Sequence, residues 1–444
     1  MKSTVLHAKG NGIMQKLFDG AVLNEGKTKV IGELKAEPDK VMIVSKDDIT
    51  AGDGAKHDVM EGKAASANQT ACNNFRLLTQ CGVPVAFDEQ VGPVAFKAPR
   101  CEMLPYEVVL RREAHGSFLK RNPHLEKGHV FPKLLLEFYL KTNGRKWKEH
   151  DLPCDDPFMQ FDAEGKKINL YVPGKPLWEQ EPFLVLDESE VFSRENEADL
   201  LCEMGKLAKR AFYVMEKCWQ LVGRTLVDCK VEFGLDSNGQ LLLADVIDND
   251  SWRVLENGGY IDKQVYRDGG SLDSVAENYR RVAEVTGGFR VPNQRVIIWT
   301  GSVKDDVTPI EKAVEEYSEG CVPSVWQACS IHKEPVRGAA ELTRLVQETP
   351  NAVIIALIGM SNGAGPTLSA CTSVPVITVP ASVKSFPDDV WSCLRTPSFV
   401  PCTTVLSASN AALAALEILA LQNPRVYMLL RERLEERALN VAAL

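Results

Sequence analysis

The sequence predicts two successive folds: an α+β domain, then an α/β domain whose parallel sheet is covered by helices on both faces. Before residue 266, strands and turns follow one another with few helices, which is typical of α+β domains. From Arg295 onward, short apolar runs alternate with helical segments, which indicates βαβ units. The 444 residues suffice for both folds, at roughly 150 residues per domain.

The first part of the chain divides into extended segments and two helical ones. Strands are predicted within residues 20–32, 40–49, 94–96 and 107–112. Helices are predicted from near Met60 and over residues 195–221. The mixed order of these elements is the reason for the α+β assignment.

A hairpin around residues 227–245 carries the strongest chemical signal. Apolar and polar residues alternate from Val227 to Phe233, which predicts a strand, and Asn238-Gly239 suits a two-residue type I′ turn. That register places Glu232 opposite Asp245, and like charges in such a position are destabilising. A Mg²⁺ ion bound by both carboxylates and by substrate phosphates would remove the repulsion. The alternative is an exposed hairpin whose charges are solvated.

The region after residue 295 has a regular rhythm. Strands are predicted over residues 296–300, 324–329, 352–358 and 374–379, with helices near 309–319, over 335–348 and from Pro366. In sheets of this kind, ligands bind at the carboxyl ends of the strands. A further helix over 271–285 ends at Gly287-Gly288. We therefore assign residues 1–266 to the first domain, 267–292 to a linker with a helix, and 293–444 to the second domain.

Composition excludes several classes of protein. The net charge of −9 argues against a nucleic-acid binder, which needs a basic surface. The 12 cysteines lack CxxC or Cys/His metal spacing, which favours reduced thiols in a cytosolic protein. Residues 1–16 lack the apolar core of a signal peptide, and the apolar run 134–140 is too short to span a bilayer. We expect neither a nucleic acid nor a membrane as partner.

Two further clusters suggest phosphate binding. Residues 24–29 (Asn-Glu-Gly-Lys-Thr-Lys) could bring backbone and lysines to a polyphosphate, although the P-loop spacing is absent. A hairpin turn beside solvated lysines is the alternative. Arg111-Arg112, followed by Gly116-Ser117, could offer a guanidinium fork, a hydroxyl and a backbone N–H to one phosphate. An ordinary basic surface patch is the alternative there.

Taken together, these motifs resemble the SAICAR synthetase family over residues 15–267. The matching segments, in the family's order, are EGKTK (25–29), SKDDITAGD (45–53), EGKAA (61–65), RRxAxGSFLKR (111–121), KVEFG (230–234), LADVIDNDSWR (243–253) and DKQxxR (262–267). The resemblance implies a SAICAR-synthetase fold related to ATP-grasp enzymes. It also implies a ligase that joins L-aspartate to the carboxylate of carboxyaminoimidazole ribotide (CAIR) and consumes ATP.

The same resemblance assigns roles to single residues. The implied metal ligands for Mg²⁺ are Glu232 and Asp245, and Lys230 is taken as catalytic. The implied ATP-binding residues are Gly26, Lys27 and Lys29, and the implied ligands of the ribotide phosphate are Arg111, Ser117, Arg253 and Arg267. His115 stands where the family usually has a small residue.

The second domain resembles the class II aminoimidazole ribotide (AIR) carboxylase family. The matching segments are Gly301-Ser302 with Asp305, Ser330-Ile-His-Lys333, Ser361-Asn-Gly-Ala-Gly-Pro366 and residues 389–395. The resemblance implies an AIR and CO₂ site formed by Gly301, Ser302, Asp305, Ser330, Ser361, Asn362 and Gly363, with His332 and Lys333 as catalytic residues. An imidazole can exchange a proton near neutral pH, which suits His332 to a carboxylation. The family uses CO₂ directly, so neither biotin nor NAD is expected.

Departures from the carboxylase pattern leave its activity open. The family usually has GSxSD, SAHK and GRSNGLGP; this chain has Lys304 for the second serine, Ile331 for alanine and Met360 for arginine. Methionine cannot replace a guanidinium beside a phosphorylated substrate, and Ile331 could crowd His332. Three hypotheses compete: a bifunctional enzyme making CAIR and then SAICAR, a ligase with a degenerate carboxylase domain as scaffold, and a small-molecule kinase.

Assembly is a further expectation from the resemblance. The carboxylase family implies a homo-octamer built through the second domain. The apolar helical stretch Ala408–Leu421 could pack between subunits, or it could be a core helix.

Overall fold

The computed structural model describes residues 17–51, 55–142, 144–162 and 166–441, without the side chains of 438–441. Two expectations concern residues outside this description. One is the lack of a signal-peptide core in residues 1–16, and the other is the part of the SKDDITAGD segment formed by Gly52 and Asp53. The chain forms two compact units that divide between Arg290 and Val291. Among the helices of the described residues, none combines the length and the apolar character needed to cross a membrane.

The first unit contains two large antiparallel sheets. The smaller has the strand order β1-β2-β3-β7-β6, and the larger has the order β14-β13-β12-β9-β8-β15-β17-β18, with β16 paired to β15. The strands are β1 Val22–Glu25, β2 Lys29–Glu33, β3 Lys40–Ser45, β4 Asp48–Ala51, β5 Lys56–Val59, β6 Glu89–Gln90, β7 Ala95–Pro99, β8 Glu102–Glu113, β9 Val130–Leu140, β10 Lys146–Trp147, β11 His150–Asp151, β12 Phe158–Phe161, β13 Lys167–Tyr171, β14 Leu184–Asp187, β15 Thr225–Leu235, β16 Leu241–Leu243, β17 Trp252–Glu256 and β18 Gly259–Tyr260.

Helices of the first unit pack against these sheets and against one another. They are α1 Lys63–Gln80, α2 Ser117–Arg121, α3 Glu188–Val191, α4 Glu197–Leu221, α5 Gln264–Arg267 and α6 Leu272–Thr286. The helix α6, which the sequence analysis placed in the linker, packs against α1: Asn73 donates to the carbonyl oxygen of Ala283 at 3.1 Å. Its Val275 and Tyr279 lie in one apolar cluster with Met60. These contacts make α6 part of the first unit.

The second unit is a three-layer α/β fold, as predicted. Its parallel sheet has the order β20-β19-β21-β22-β23. The elements are β19 Arg295–Thr300, α7 Thr308–Ser318, β20 Ser324–Ala328, α8 Pro335–Glu348, β21 Ala352–Ile358, α9 Ala364–Ala370, β22 Val376–Pro380, α10 Trp391–Leu394, β23 Thr403–Thr404, α11 Ala408–Ala420 and α12 Pro424–Val441. One apolar cluster packs α7, α11 and α12 on one face, and a second packs α8 and α9 on the other. The helix α11 therefore contributes to the core, with Ala411, Ala415 and Leu416 fully buried.

The predicted register of the β15–β16 hairpin is wrong by one residue. Phe233 pairs with Leu243 and Leu235 with Leu241, so Glu232 faces Ala244 rather than Asp245. The loop has three residues, because the Asp236 backbone N–H donates to the Gln240 carbonyl oxygen at 3.1 Å. The Asp236 carboxylate accepts from the backbone N–H of Asn238 at 2.9 Å, and Gly239 takes the positive φ of 76°. A side chain thus stabilises a longer turn than the Asn-Gly pair indicated.

Candidate active sites

The ends of two sheets approach each other where β2 begins and β16 has ended. Lys29, the first residue of β2, forms an ion pair with Asp245, two residues beyond β16. Burial raises the pKa of Asp245, but the charges of Lys29 and Lys230 outweigh it and bring the pKa to about 2. Burial lowers the pKa of Lys29, but Asp245 and Asp248 reverse the effect and leave it raised. Both groups are therefore charged at neutral pH.

The turn before Lys29 contains the other predicted nucleotide residues. The Gly26 backbone N–H donates to the Lys29 carbonyl oxygen at 2.9 Å, which closes the β1–β2 turn. Lys27 is exposed in this turn. Lys46, which the sequence analysis assigned no role, donates to the Gly26 carbonyl oxygen at 3.2 Å and to Glu25 at 3.0 Å. Its only sequence signal was its position in the SKDDITAGD segment.

Lysines surround the second predicted metal ligand. Glu232 is 2% exposed and accepts from Lys230 at 3.0 Å and from Lys141. Lys230 also donates to Glu107 at 2.6 Å, and the carboxylates of Glu107, Glu232 and Asp245 raise its pKa against the opposing effect of burial. Lys141 and Glu107 were not predicted to belong to the site. Glu107 lies in β8 and Lys141 directly follows β9, and the sequence did not reveal how these strands pair with β15 and with each other.

Glu232 and Asp245 are the carboxylates available to a Mg²⁺ ion at this site. Within the described residues, no group of three or more His, Cys, Asp or Glu side chains is arranged to hold a metal. Mg²⁺ is usually bound through one or two carboxylates, while water and substrate phosphates supply its other ligands. Asp245 is ionised and about one-third exposed. Glu232 and Asp245 therefore fit a Mg²⁺ ion that arrives with a polyphosphate, and they do not form a complete protein cage.

A second charged cluster lies beside this site. Asp250 is 3.4 Å from Lys63 and 3.5 Å from Lys263, and the hydroxyl of Tyr279 donates to it. Burial and the charge of Asp250 raise the pKa of Asp248 to about 6. Burial opposes ionisation of Asp250, but the two lysines hold its pKa below the usual range. The sequence analysis gave Lys63 and Lys263 no role, although both lie in motifs of the family resemblance.

Three of the four predicted phosphate ligands lie close together. A methyl group on Gly116 would lie 2.2 Å from Nη2 of Arg253, so this backbone and guanidinium are in close contact. Ser117 is exposed at the first position of α2. Arg253 and Arg267 both donate to Oε1 of Gln264 at 3.3 Å. The arrangement offers two guanidinium groups and a hydroxyl to one anion.

Arg111 lies inside the sheet, apart from these three. It is 3% exposed and donates to Glu137 at 2.7 Å and to Asp228 at 3.0 Å. The same Oδ2 atom of Asp228 accepts from Arg253. Arg111 therefore supports Arg253 through a shared carboxylate.

His115 is accommodated beside the phosphate residues by two polar contacts. Its Nδ1 lies 2.6 Å from the Tyr260 hydroxyl, and its Nε2 lies 3.1 Å from Glu113. The side chain is 2% exposed. Both ring nitrogens of His115 therefore have polar partners within the fold. The histidine leaves Gly116-Ser117 exposed at the start of α2.

In the second unit, the loops after the parallel strands form another polar site. After β19, Gly301 is exposed and the Ser302 backbone N–H donates to Asp305 at 2.9 Å. A methyl group on Gly359, after β21, would lie 3.6 Å from Oδ1 of Asp305 and 3.8 Å from Oγ of Ser382. These loops meet at the carboxyl edge of the sheet, as predicted for the ligand site.

His332 lies at the same edge. A methyl group on Gly363 would be 3.9 Å from Cε1 of His332 and 3.9 Å from Oγ of Ser361. His332 and Lys333 are exposed, and the backbone N–H of Lys333 donates to the Ser330 carbonyl oxygen at 3.1 Å. Ser361 has a φ of 57°, a strained value for a residue other than glycine and one found often at functional sites.

Asn362 is held within this site by one carboxylate. Asp389 accepts from its backbone N–H at 3.0 Å and from its side-chain amide at 2.8 Å. Asn362 is fully buried, and its Oδ1 atom has no hydrogen-bond partner within the described residues. A buried acceptor without a partner is costly, so a ligand donor at this atom would be favourable.

The residues that depart from the carboxylase pattern lie in different surroundings. Ile331 is 3% exposed and belongs to an apolar cluster with Trp299 and Leu342. A methyl group on Gly338 would be 2.4 Å from its Cδ1 atom, so Ile331 occupies the space beside that glycine. Met360 is 66% exposed. Ile331 thus fills the core and does not crowd His332, contrary to the concern raised by the sequence.

Two family models match the chain. The model described as SAICAR synthetase matches residues 22–153 and 184–286, and the model described as AIR carboxylase matches residues 295–440. These segments fall on the first and the second unit.

Curated relatives match over nearly the whole chain. The bifunctional phosphoribosylaminoimidazole carboxylase/phosphoribosylaminoimidazole succinocarboxamide synthetase of Homo sapiens is 36% identical over 93% of both chains. The Drosophila melanogaster protein of that name is 36% identical over 93% of this chain and 91% of its own. The phosphoribosylaminoimidazole-succinocarboxamide synthase of Chloroflexus aurantiacus is 38% identical over 60% of this chain and 96% of its own.

Proposed function

The chain belongs to the family of bifunctional AIR carboxylases/SAICAR synthetases, and we propose that it catalyses two consecutive steps of purine biosynthesis. The second unit adds CO₂ to AIR and gives CAIR. The first unit joins CAIR to L-aspartate, consumes ATP and gives SAICAR. The observation that carries the proposal is the presence of a separate charged site in each unit, one around Lys29 and Asp245 and one around His332.

Ligation requires an activated carboxylate. The γ-phosphoryl group of ATP is transferred to a carboxylate oxygen of CAIR, which gives an acyl phosphate and ADP. The amine of aspartate then attacks the carbonyl carbon, loses a proton and displaces phosphate. Lys29 and Lys230 offset the negative charge of the polyphosphate, as such transfers require. Mg²⁺ held by Glu232 and Asp245 would neutralise further phosphate charge and align ATP.

The ribotide phosphate is the second anion of this site. Arg253, Arg267 and Ser117 provide its ligands, and this is supported by their grouping around Gln264 and Gly116. Arg111 acts behind them, since Asp228 bonds both Arg111 and Arg253. Its role is to fix the direction of the Arg253 guanidinium.

Carboxylation needs a proton acceptor and a contact with the imidazole ring of AIR from which water is excluded. The imidazole carbon of AIR attacks CO₂, and the ring proton on that carbon is then lost to a base. His332 is the proposed base, with Lys333 beside it, and Asn362 offers a buried acceptor to a substrate N–H group. This chemistry uses neither biotin nor NAD.

The second candidate function is a ligase whose second unit serves only for assembly. The exposed Met360 favours it, because a guanidinium is expected beside a phosphorylated substrate. AIR with bicarbonate, and separately CAIR with aspartate and ATP, should be supplied to the full chain. CAIR formation above the uncatalysed rate would exclude the scaffold reading. Release of ADP without an aspartate adduct would instead indicate a kinase.

We also propose a cytosolic homo-octamer assembled through the second unit. Large apolar side chains are exposed there, including Phe386, Trp391, Leu394 and Phe399, and exposed apolar patches are typical of protein contacts. All twelve cysteines are free thiols, which suits a reducing compartment. Light scattering on the full chain would test the octamer, and a monomer at micromolar concentration would contradict it.

A further inference from the structure

We propose that Lys304 supplies the positive charge for the ribotide phosphate in the carboxylase site. It would replace the guanidinium of the arginine that the family pattern has at position 360, where this chain has methionine. The inference rests on the proposed carboxylase function and goes beyond it, since the family pattern has a serine at position 304. The positive charge that is absent at position 360 is then present at position 304, on a neighbouring loop.

The two positions lie on loops that touch. Lys304 precedes Asp305 in the turn after β19, and Met360 follows Gly359 in the turn after β21. Oδ1 of Asp305 would be 3.6 Å from a methyl group on Gly359, so the Asp305 side chain lies against the turn that contains Met360. A lysine side chain has four methylene groups, and it can reach a ligand that an arginine on the adjacent loop would otherwise bind.

Hydrogen bonds fix the backbone of the loop that carries Lys304. The Ser302 hydroxyl accepts from the Lys304 backbone N–H at 3.2 Å, and Asp305 accepts from the Ser302 backbone N–H at 2.9 Å. The side chain of Lys304 is exposed, and it forms no ion pair with another described residue. The backbone of the loop is thus fixed while the ammonium group is available to a ligand.

The charge balance of the site requires a cation. Asp305 and Asp389 both lie within it and are engaged with backbone N–H groups. A phosphate dianion beside two carboxylates is repelled unless a positive charge is close. Lys333 adjoins His332 and serves the reacting end of the substrate, while Arg395 stacks on Trp391 at 4.6 Å. Lys304 directly precedes Asp305, whose carboxylate faces Gly359, so its loop adjoins the turn that contains Met360.

A lysine in this role predicts a particular substrate affinity. Arginine binds a phosphate through two parallel N–H bonds, whereas an ammonium group acts as a point charge on a flexible stem. The enzyme should therefore bind the ribotide through Lys304, and a guanidinium introduced at 360 should substitute for it.

Four variants of the full chain test the proposal: Lys304→Ser, Met360→Arg, the double variant, and Arg344→Ser, at an exposed position of α8, as a comparison. The assay is the carboxylation of AIR and of its riboside, which lacks the phosphate. We expect Lys304→Ser to raise KM for AIR at least tenfold, with little change in kcat or in the constants for the riboside. The double variant should recover most of the affinity lost in Lys304→Ser, and Arg344→Ser should leave KM unchanged.

The outcomes separate this proposal from the proposed function. A wild-type chain that forms no CAIR would refute both the carboxylase and the role of Lys304. A wild-type chain that is active, with an unchanged KM in Lys304→Ser, would refute only the role of Lys304. Equal losses with AIR and the riboside would also refute it, because the effect would not depend on phosphate. Ligation of CAIR in the same samples reports that the variants are folded.

Discussion

The ammonium group of Lys29 is ion-paired with the carboxylate of Asp245, and this pair joins the ends of the two large sheets of the first unit. Lys29 is the first residue of β2 in the smaller sheet, and Asp245 follows β16 of the larger sheet. The pair holds Asp245 ionised, with its pKa brought to about 2 against the effect of burial. A nucleotide that enters here would meet a lysine and a carboxylate already set opposite each other.

Replacement of Lys29 by methionine should weaken ATP binding. The change keeps the length of the side chain and removes one charge-assisted contact, which typically contributes about 1.5–3 kcal/mol. We expect the Kd for ATP to rise roughly ten- to a hundredfold by calorimetry on the full chain. Lys35→Met, at an exposed position just after β2, is the matched control. Equal affinity in wild type and Lys29→Met would show that Lys29 does not contact the nucleotide.

Glu232→Gln should separate the two activities. The substitution removes a charge that accepts from Lys230 and Lys141, so we expect ligation to fall by roughly a hundredfold or more. Carboxylation of AIR should remain, because His332 lies in the other unit. Both rates should be measured on one preparation.

Two further variants complete this test. Glu102→Gln changes a carboxylate whose side chain is 72% exposed at the far end of the neighbouring strand β8, and it should preserve both rates. His332→Asn should abolish carboxylation and preserve ligation. If Glu232→Gln impaired both reactions equally, the model of independent sites would be wrong.

Ile331 should matter for stability and not for specificity. Ile331→Ala removes a buried side chain, and such changes cost about 2–5 kcal/mol. Gly338→Ala alone should also destabilise, because its methyl group would lie 2.4 Å from Cδ1 of Ile331. In the double variant the new methyl group enters the vacated space, so the effect of Gly338→Ala should become stabilising.

Hydrogen exchange in β21 peptides under increasing urea would measure this reversal. The strand is fully buried in the second unit and reports on that unit alone. Additive losses in the double variant would show that Ile331 and Gly338 do not share one space.

The sequence predicted those strands and helices whose residue pattern lies within the segment itself. The strand β21 was predicted with its observed bounds, because its apolar run AVIIALI is buried along its whole length. The strand β9, by contrast, was not predicted, although part of its apolar run was noticed. That omission hid two contacts of the site, since β9 carries Glu137, the partner of Arg111, and leads directly to Lys141, the partner of Glu232.

The hairpin shows the same limit at the scale of one residue. An Asn-Gly pair indicated a two-residue turn, but the Asp236 side chain binds the backbone of Asn238 and Gln240 and adds a residue to the loop. Glu232 and Asp245 are therefore not cross-strand partners. Their shared relation to Lys230 comes from the packing of several strands, which no local pattern encodes.

Asp262 should make the stability of the first unit depend on pH. It is fully buried, and burial raises its pKa from 3.8 to about 7, although the backbone N–H groups of Gln264 and Val254 act against this. The folded protein therefore binds this proton more tightly than the unfolded chain does. The contribution of Asp262 to stability should be greatest at low pH, fall by up to about 1.4 kcal/mol per pH unit between 3.8 and about 7, and stay level above that.

Asp262→Asn isolates this contribution, because asparagine carries no charge at any of these pH values. The variant loses one acceptor for a backbone N–H, which changes its stability by an amount that does not depend on pH. From pH 5 to pH 7 its stability should rise relative to the wild type, with no further relative change above about pH 8. Urea-dependent hydrogen exchange in β15 peptides would measure the difference, with the exposed Asp268→Asn as control. A constant difference between Asp262→Asn and wild type across this range would mean that Asp262 is ionised in the folded protein throughout, and that its two backbone hydrogen bonds outweigh its burial.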